Sequence, residues 1–200
     1  MHTRRTALAT ITILAATTLT ACSEPAQGTA ERATAATSSP ASSSPESDAP
    51  AADADDQPDT ELAVGDTFAY TDGLKVKVDS IRTITRYGEY DTKPDADQTP
   101  FRVTFTITNG TKKPYDMDAF GYNAEGATTG GQTEFLYVEE GSKQAGGRLA
   151  VGRSATFTSE YSIAKSDGKE VLFTMSRSDD AWLESGSFLG EDPNWTGTIK

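Results

Sequence analysis

From Phe101 to Asn109 apolar and polar residues alternate without interruption, with Phe101, Val103, Phe105 and Ile107 on one side and Arg102, Thr104, Thr106 and Thr108 on the other. A period of two over this length predicts a β-strand with one buried face. The same rhythm sets Leu74, Val76 and Val78 against Lys75, Lys77 and Asp79, then resumes at Ile81 and Ile84 after a slip of one position that predicts a β-bulge. Ala155, Phe157, Ser159, Tyr161 and Ile163 alternate with Thr156, Thr158, Glu160 and Ser162, the second set expected to face solvent. Val171, Phe173 and Met175 form a further run, and weaker ones cover Thr67 to Tyr70, Phe120 to Asn123, Thr133 to Val138 and Trp195 to Ile199. Turn-forming pairs such as Asp72-Gly73, Asn109-Gly110, Gly130-Gly131, Gly146-Gly147 and Asp167-Gly168 separate these segments. No segment carries a helical period of normal length. The expected fold is all-β, an Ig-like antiparallel β-sandwich of 7–8 strands over residues 62–200, with a closed barrel as the alternative.

Two stretches break this pattern. The first is an apolar run from about Ala7 to Leu19, preceded by Arg4 and Arg5 and followed by Thr20, Ala21 and the single cysteine, Cys22. Basic, apolar and small residues in that order read as an export signal, and the run is too short to span a bilayer. A cysteine directly after it predicts a lipoprotein signal peptide over residues 1–21. In that reading Cys22 receives a diacylglyceryl group and becomes the new N-terminus. Two acyl chains suffice for durable membrane attachment where one does not. An ordinary secretory signal is the alternative, and the Arg4-Arg5 pair leaves twin-arginine export open beside the general route. The second stretch, residues 22–61, has no Val, Ile, Met, Leu or aromatic residue and is rich in Ala, Ser, Thr, Pro and Asp. Such a composition cannot bury enough apolar surface to offset its ordering entropy. It is expected to be a disordered tether, spanning on the order of 35 Å as a coil and up to roughly 100 Å if stretched. Its Ser/Thr/Pro mixture also resembles glycosylated stalks.

Charge and composition then narrow the chemistry. The 200 residues carry 18 basic and 30 acidic side chains, a net charge of −12, and removal of residues 1–21 takes away only Arg4 and Arg5 among charged residues, leaving a net of −14. That balance argues against a nucleic-acid partner. The same cleavage removes His2, the only histidine, and lipidation consumes the only thiol. Neither a Ser-His-Asp nor a Cys-His nucleophile system can then be assembled, nor a His/Cys zinc site. We expect no enzyme, no cofactor, no metal site and no catalytic residue. The acidic pairs Asp95/Asp97, Asp116/Asp118, Asp179/Asp180 and Glu191/Asp192 fall in polar, turn-like segments. A carboxylate-dependent hydrolase and loose calcium coordination by one of these clusters stay open as alternatives.

Several framework motifs carry a resemblance. They are Val64-Gly65-Asp66-Thr67, Gly73-Leu74-Lys75-Val76-Lys77-Val78, Phe101 to Asn109 followed by Lys112, Lys113, Pro114 and Tyr115, Leu149 to Phe157, and Trp195-Thr196-Gly197. Together they resemble the Ig-like (telokin-like) lipoprotein domains of actinobacteria, a group of unknown function similar to a mycobacterial immunoprotective secreted antigen. The turn Val151-Gly152 stands where that family usually has Pro-Gly. The resemblance implies a sandwich with no known catalytic residues to transfer. The expected function is a membrane-anchored, extracytoplasmic lipoprotein that presents a binding module to a protein or cell-wall partner. A passive envelope component is the competing reading. Aromatics in polar surroundings are the candidate ligand contacts: Tyr87 and Tyr90 in the long segment from Arg86 to Thr99, Trp182 beside Asp179 and Asp180, and Trp195. The sequons at Asn109 and Asn194 read as turn chemistry.

Overall fold

In a computed structural model, residues 28–33, 60–180, 183 and 191–200 are described. Strands β1 (Gly28–Glu31), β3 (Thr67–Tyr70), β4 (Leu74–Thr83), β5 (Gln98–Asn109), β8 (Thr133–Phe135) and β10 (Ser154–Ala164) form one sheet in the order β1-β3-β4-β5-β10-β8. Strands β2 (Glu61–Ala63), β7 (Phe120–Gly126), β11 (Glu170–Arg177) and β12 (Asn194–Thr198) form a second, in the order β2-β12-β11-β7. A two-stranded ribbon of β6 (Tyr115–Asp116) and β9 (Arg148–Leu149) completes the set. Every pairing is antiparallel except the parallel one between β12 and β2. The two larger sheets pack as a β-sandwich, the class expected from the alternation.

The alternation of β5 appears directly in its burial, every second residue from Thr99 to Asn109 being buried. Phe101, Val103, Phe105 and Ile107 enter the core beside Phe68, Val76, Phe173, Met175 and Trp195. Phe105 links the layers, with its ring centroid 5.8 Å from that of Phe173 on β11 and 5.5 Å from that of Tyr122 on β7. The slip read after Val78 is a register shift between Val78 and Ser80. It leaves Asp79 without a cross-strand partner, and its carboxylate accepts a 2.6 Å hydrogen bond from Thr106 Oγ1. Asn109 ends β5 fully buried. Its side chain donates to the carbonyls of Lys113 and Leu149 and accepts from the Thr111 N–H and hydroxyl. The sequon there is an Asx turn, as its chemistry suggested.

Four features depart from the expectations. Twelve strands are present among the described residues, because β1, β2, β6 and β9 are too short to carry a recognisable alternation. The segment 22–61, expected to be a disordered tether, supplies β1 and the first residue of β2; its other positions lie outside the described residues, apart from Arg32, Ala33 and Thr60. β1 pairs with β3 along Gly28↔Tyr70 to Glu31↔Thr67 and lies so close that a Cβ on Gly28 would sit 2.4 Å from the Ala69 carbonyl oxygen. Side-chain-free Gly28 and small Ala30 make this edge strand without apolar bulk. Asp66 then fixes both ends of the connection, its carboxylate accepting from the Ala33 N–H at 2.6 Å and the Ala63 N–H at 2.9 Å, with Arg32 Nη1 at 3.5 Å. Arg32 also donates to the Glu61 carbonyl, and Lys75 pairs with Glu31 at 2.5 Å.

The third departure is Trp195, proposed as a ligand contact. It is fully buried in the sandwich and donates its indole N–H to the Asp66 carbonyl at 3.1 Å, so it is a core residue. The fourth is β10. Residues Phe157 to Ile163 are all buried, including Thr158, Glu160 and Ser162 on the face expected to be wet. The chain after β8 follows the edge of β10, with the Leu136 N–H bonded to the Glu160 carbonyl and the Thr158 N–H to the Lys143 carbonyl, and covers that face where the Ser142 hydroxyl meets the Glu160 carboxylate and the Lys143 N–H the Thr158 hydroxyl. Leu136 and Val138 form a second small apolar cluster there with Ile84, and Tyr87 packs against it.

Candidate functional site

This roof turns the outer face of the six-stranded sheet into a groove of about 530 Å³, whose walls include Arg82, Arg86, Arg102, Thr104, Thr158 and Glu140. Register places its central residues. Arg82 on β4 pairs with Arg102 on β5, and Arg102 pairs with Glu160 on β10, so all three project from the same side of the sheet. Two like charges directly opposite each other weaken a sheet. The fully buried Glu160 offsets one of them, accepting from Arg102 Nε at 2.7 Å and from the Ser142 hydroxyl at 3.1 Å. Arg102 Nη2 donates to the Glu140 carbonyl at 2.7 Å. Gly141 follows at φ +73°, where a Cβ would stand 2.7 Å from Arg102 Nη1; only a glycine lets the backbone lie this close to the guanidinium. Arg82 and Arg86 are exposed and form no ion pair among the described residues.

One carboxylate joins the two segments that border the groove. Asp91 accepts from the Gly88 N–H and from the Glu139 N–H, both at 2.7 Å, and the neighbouring Thr92 N–H donates to the Tyr137 carbonyl at 2.7 Å. These backbone N–H groups, Glu139 first and Gly88 next, hold the Asp91 carboxyl below the usual aspartate range. A smaller hollow of about 270 Å³ between Gly88–Asp91 and Glu139–Gly141 adjoins the groove through Glu140 and Gly141. Tyr90 and Tyr137, 80% and 53% exposed, stand on the two joined segments. Phe135 is also largely exposed, its ring edge-on to Tyr161 at 6.1 Å. Burial pushes the Tyr161 hydroxyl up to about 12.

Of the aromatics singled out in the sequence, Tyr90 is therefore a solvent-facing residue beside the groove. Tyr87 is half-buried beneath the same segment, where desolvation raises its hydroxyl above the ordinary range, and that hydroxyl has no hydrogen-bond partner among the described residues. Trp182 lies outside the described residues. The three arginines are separated by 4 and 16 residues and belong to no local motif. The available signal was that Arg82 and Arg102 occupy outward positions on two strand patterns that become neighbours.

A second concavity, about 660 Å³, lies at the Asp72 turn and the Lys112–Asp116 segment. Its organising group is Arg177, whose guanidinium is stacked 4.7 Å from the Tyr70 ring and 5.2 Å from the Tyr115 ring. Nη2 reaches Asp72 at 2.9 Å and Asp179 at 2.8 Å, and Nε reaches Asp179 at 3.0 Å. Burial alone would lower the Arg177 pKa; the hydrogen bond to Asp72 and the charges of its neighbours outweigh it and hold the group above the ordinary range. Asp179 also accepts from the Tyr115 hydroxyl at 2.8 Å. These acids are committed to an internal ion-pair network. Among the described residues no three His, Cys, Asp or Glu side chains gather as a metal site, and no helix is long and apolar enough to cross a membrane.

Comparison with known proteins finds no matching family model and no matching curated protein. Among solved structures the chain is similar to the ycdA protein of Bacillus subtilis, described as a candidate lipoprotein, at 16% identity and a TM-score of 0.45. That match covers 64% of this chain and 37% of ycdA. The yjhA protein of the same organism matches at 15% identity and a TM-score of 0.47, covering 70% of this chain and 99% of that one. An uncharacterized β-sandwich protein of Clostridium difficile matches at 9% identity and a TM-score of 0.39, over 78% of this chain and 100% of its own.

Proposed function

We propose that the chain is a lipid-anchored envelope protein, held at Cys22 on the extracytoplasmic face of the membrane, whose β-sandwich is a non-catalytic binding module for a protein or cell-wall partner. The observation that carries the binding role is the outward groove bordered by the Asp91-joined segments, with exposed Tyr90 and Tyr137 beside it and two arginines that no described carboxylate neutralises. Aromatic and arginine side chains are the types that dominate binding energy at interfaces. The anchor rests on the sequence, in which a short apolar run behind two arginines ends at the only cysteine. Membership of the actinobacterial Ig-like lipoprotein group, similar to the mycobacterial antigen, is part of this reading and rests on the framework motifs quoted above. Loss of the only histidine on cleavage, and of the only thiol on lipidation, supports the absence of nucleophilic catalysis.

Two measurements test the proposal. Cys22→Ser should move the protein from the membrane fraction to the medium; unchanged retention refutes the anchor. Photocrosslinking on whole cells from a probe placed at Tyr137 should trap a saturable partner, and Tyr90→Ala with Arg82→Glu should abolish that product. A partner captured equally by the double variant would refute the assignment of the groove, and a passive envelope component would give no saturable product.

A further inference from the structure

We propose that the groove on the outer sheet face is a phosphate-binding site, with Arg82, Arg86 and Arg102 as its donors. The inference deepens the binding-module reading and rests on it for biological meaning, but it is carried by the local chemistry.

The described cations elsewhere on the sandwich include several that meet a carboxylate directly: Lys75 with Glu31, Lys77 with Asp79, and Arg177 with Asp72 and Asp179. Arg82, Arg86 and Arg102 all line the groove, and the buried carboxylate there, Glu160, pairs with Arg102 alone. Glu140 turns its backbone carbonyl to Arg102, and its own carboxylate forms no ion pair with any of the three. Arg82 and Arg86 thus form no ion pair among the described residues, in a chain whose overall net charge is −12. Arginines set side by side repel one another, most directly across the Arg82↔Arg102 pair. An anion of suitable geometry removes that cost.

Donor supply fits the same ligand. Arg102 uses Nε and Nη2 on protein oxygens, and no oxygen among the described residues takes its Nη1 donors. Arg82 and Arg86 contribute further guanidinium forks, and Thr104 lines the same groove. Guanidiniums match oxyanions through paired parallel hydrogen bonds, whereas a lysine offers only a point charge, and no lysine lines the groove. A carboxylate has two oxygens and is satisfied by one fork. A phosphate has three or four and can engage several, so three arginines lining one groove favour phosphate. At about 530 Å³ the groove has room for a phosphate carried on an organic group as well as for the free ion.

The test uses the full chain with Cys22→Ser in non-ionic detergent, followed by two-dimensional NMR of arginine Nε–H and backbone amides. Separate arms add inorganic phosphate, glycerol 3-phosphate and, as the control anion, acetate, all at constant ionic strength. Saturable shifts confined to Arg82, Arg86, Arg102 and the Glu139–Gly141 amides are expected with either phosphate compound. Tighter binding of glycerol 3-phosphate would identify an esterified phosphate as the natural group, and tighter binding of inorganic phosphate the free ion. Arg82→Ala with Arg86→Ala, both at exposed positions, should weaken binding at least about tenfold while circular dichroism is unchanged. Absence of localised shifts, equal binding of acetate, or full affinity in the double variant would each overturn the phosphate assignment. If the chain with Arg82 and Arg86 intact binds no phosphate, a saturable whole-cell crosslink from Tyr137 still stands, so failure of this proposal and failure of the binding-module reading are separable.

Discussion

Replacing Arg177 with alanine should be among the most damaging single changes in this domain. The guanidinium is almost wholly buried, lies between the Tyr70 and Tyr115 rings, and takes part in three hydrogen bonds to Asp72 and Asp179. Removing one member of a buried ion pair costs about 3–5 kcal/mol, because the other charge is left without its partner. Here the carboxylates are 39% and 20% exposed, so water recovers part of the loss and the electrostatic share falls to about 3 kcal/mol. Loss of the two cation–ring contacts adds about 1 kcal/mol. For a sandwich of this size that sum lowers the Tm by roughly 10 °C. Urea unfolding followed by the fluorescence of the buried Trp195 gives the free energy, and a double-mutant cycle with Asp179→Ala isolates the pair. We expect a coupling energy of at least about 1 kcal/mol. A loss below about 1 kcal/mol for Arg177→Ala, or strict additivity with Asp179→Ala, would refute the view that this network holds the turn at Asp72 to the end of β11.

Three further outcomes follow from the geometry. Gly28→Val should expel β1, since the new side chain would strike the Ala69 carbonyl and the Phe68 ring; hydrogen exchange should speed up at the β3 amides while the β5 and β11 amides keep their protection. The Asp91 clamp has a folded-state pKa below the unfolded value, so its contribution is complete above about pH 3.9 and is lost as the pH falls further; the Gly88 and Glu139 amide shifts should report this, and Asp91→Asn should remove the response. Tyr87→Phe removes a buried hydroxyl that has no described partner and should be neutral or stabilising by up to about 1 kcal/mol; a destabilisation above that in thermal unfolding would show that the hydroxyl is satisfied.

How far the sequence anticipated this molecule depends on the range of the interaction involved. β5 and the bulge in β4 were legible because alternation is a local record of which face meets the core, and one slipped position is enough to mark a bulge. β10 was read as one-sided because its roof comes from residues 136–143, which carry no mark of the strand they cover. The pattern from Thr133 to Val138 outlasts β8 itself: Leu136 and Val138 stay buried and Tyr137 exposed after strand pairing ends. β1 escaped because an edge strand lying against another backbone needs small residues, and small residues also signal disorder. Trp195 looked like a surface aromatic because polar neighbours flank it, yet the parallel pairing of β12 with β2 buries it. Tyr90, singled out as a candidate contact by its setting in a long polar segment, is exposed. The arginine groove could not be read at all without strand register, which alone brings Arg82 opposite Arg102.

The short strand β1 also sets a height. With Cys22 as the anchor, only residues 23–27 lie between the lipid and the first hydrogen-bonded residue of the sandwich, a reach of about 20 Å even when fully extended. The 26 residues from 34 to 59, with six acids and no base, follow β1 in the sequence, so their length adds nothing to that reach. On the proposed anchor, the binding module would be held within that reach of the lipid, and a partner at the membrane surface belongs to the same proposal.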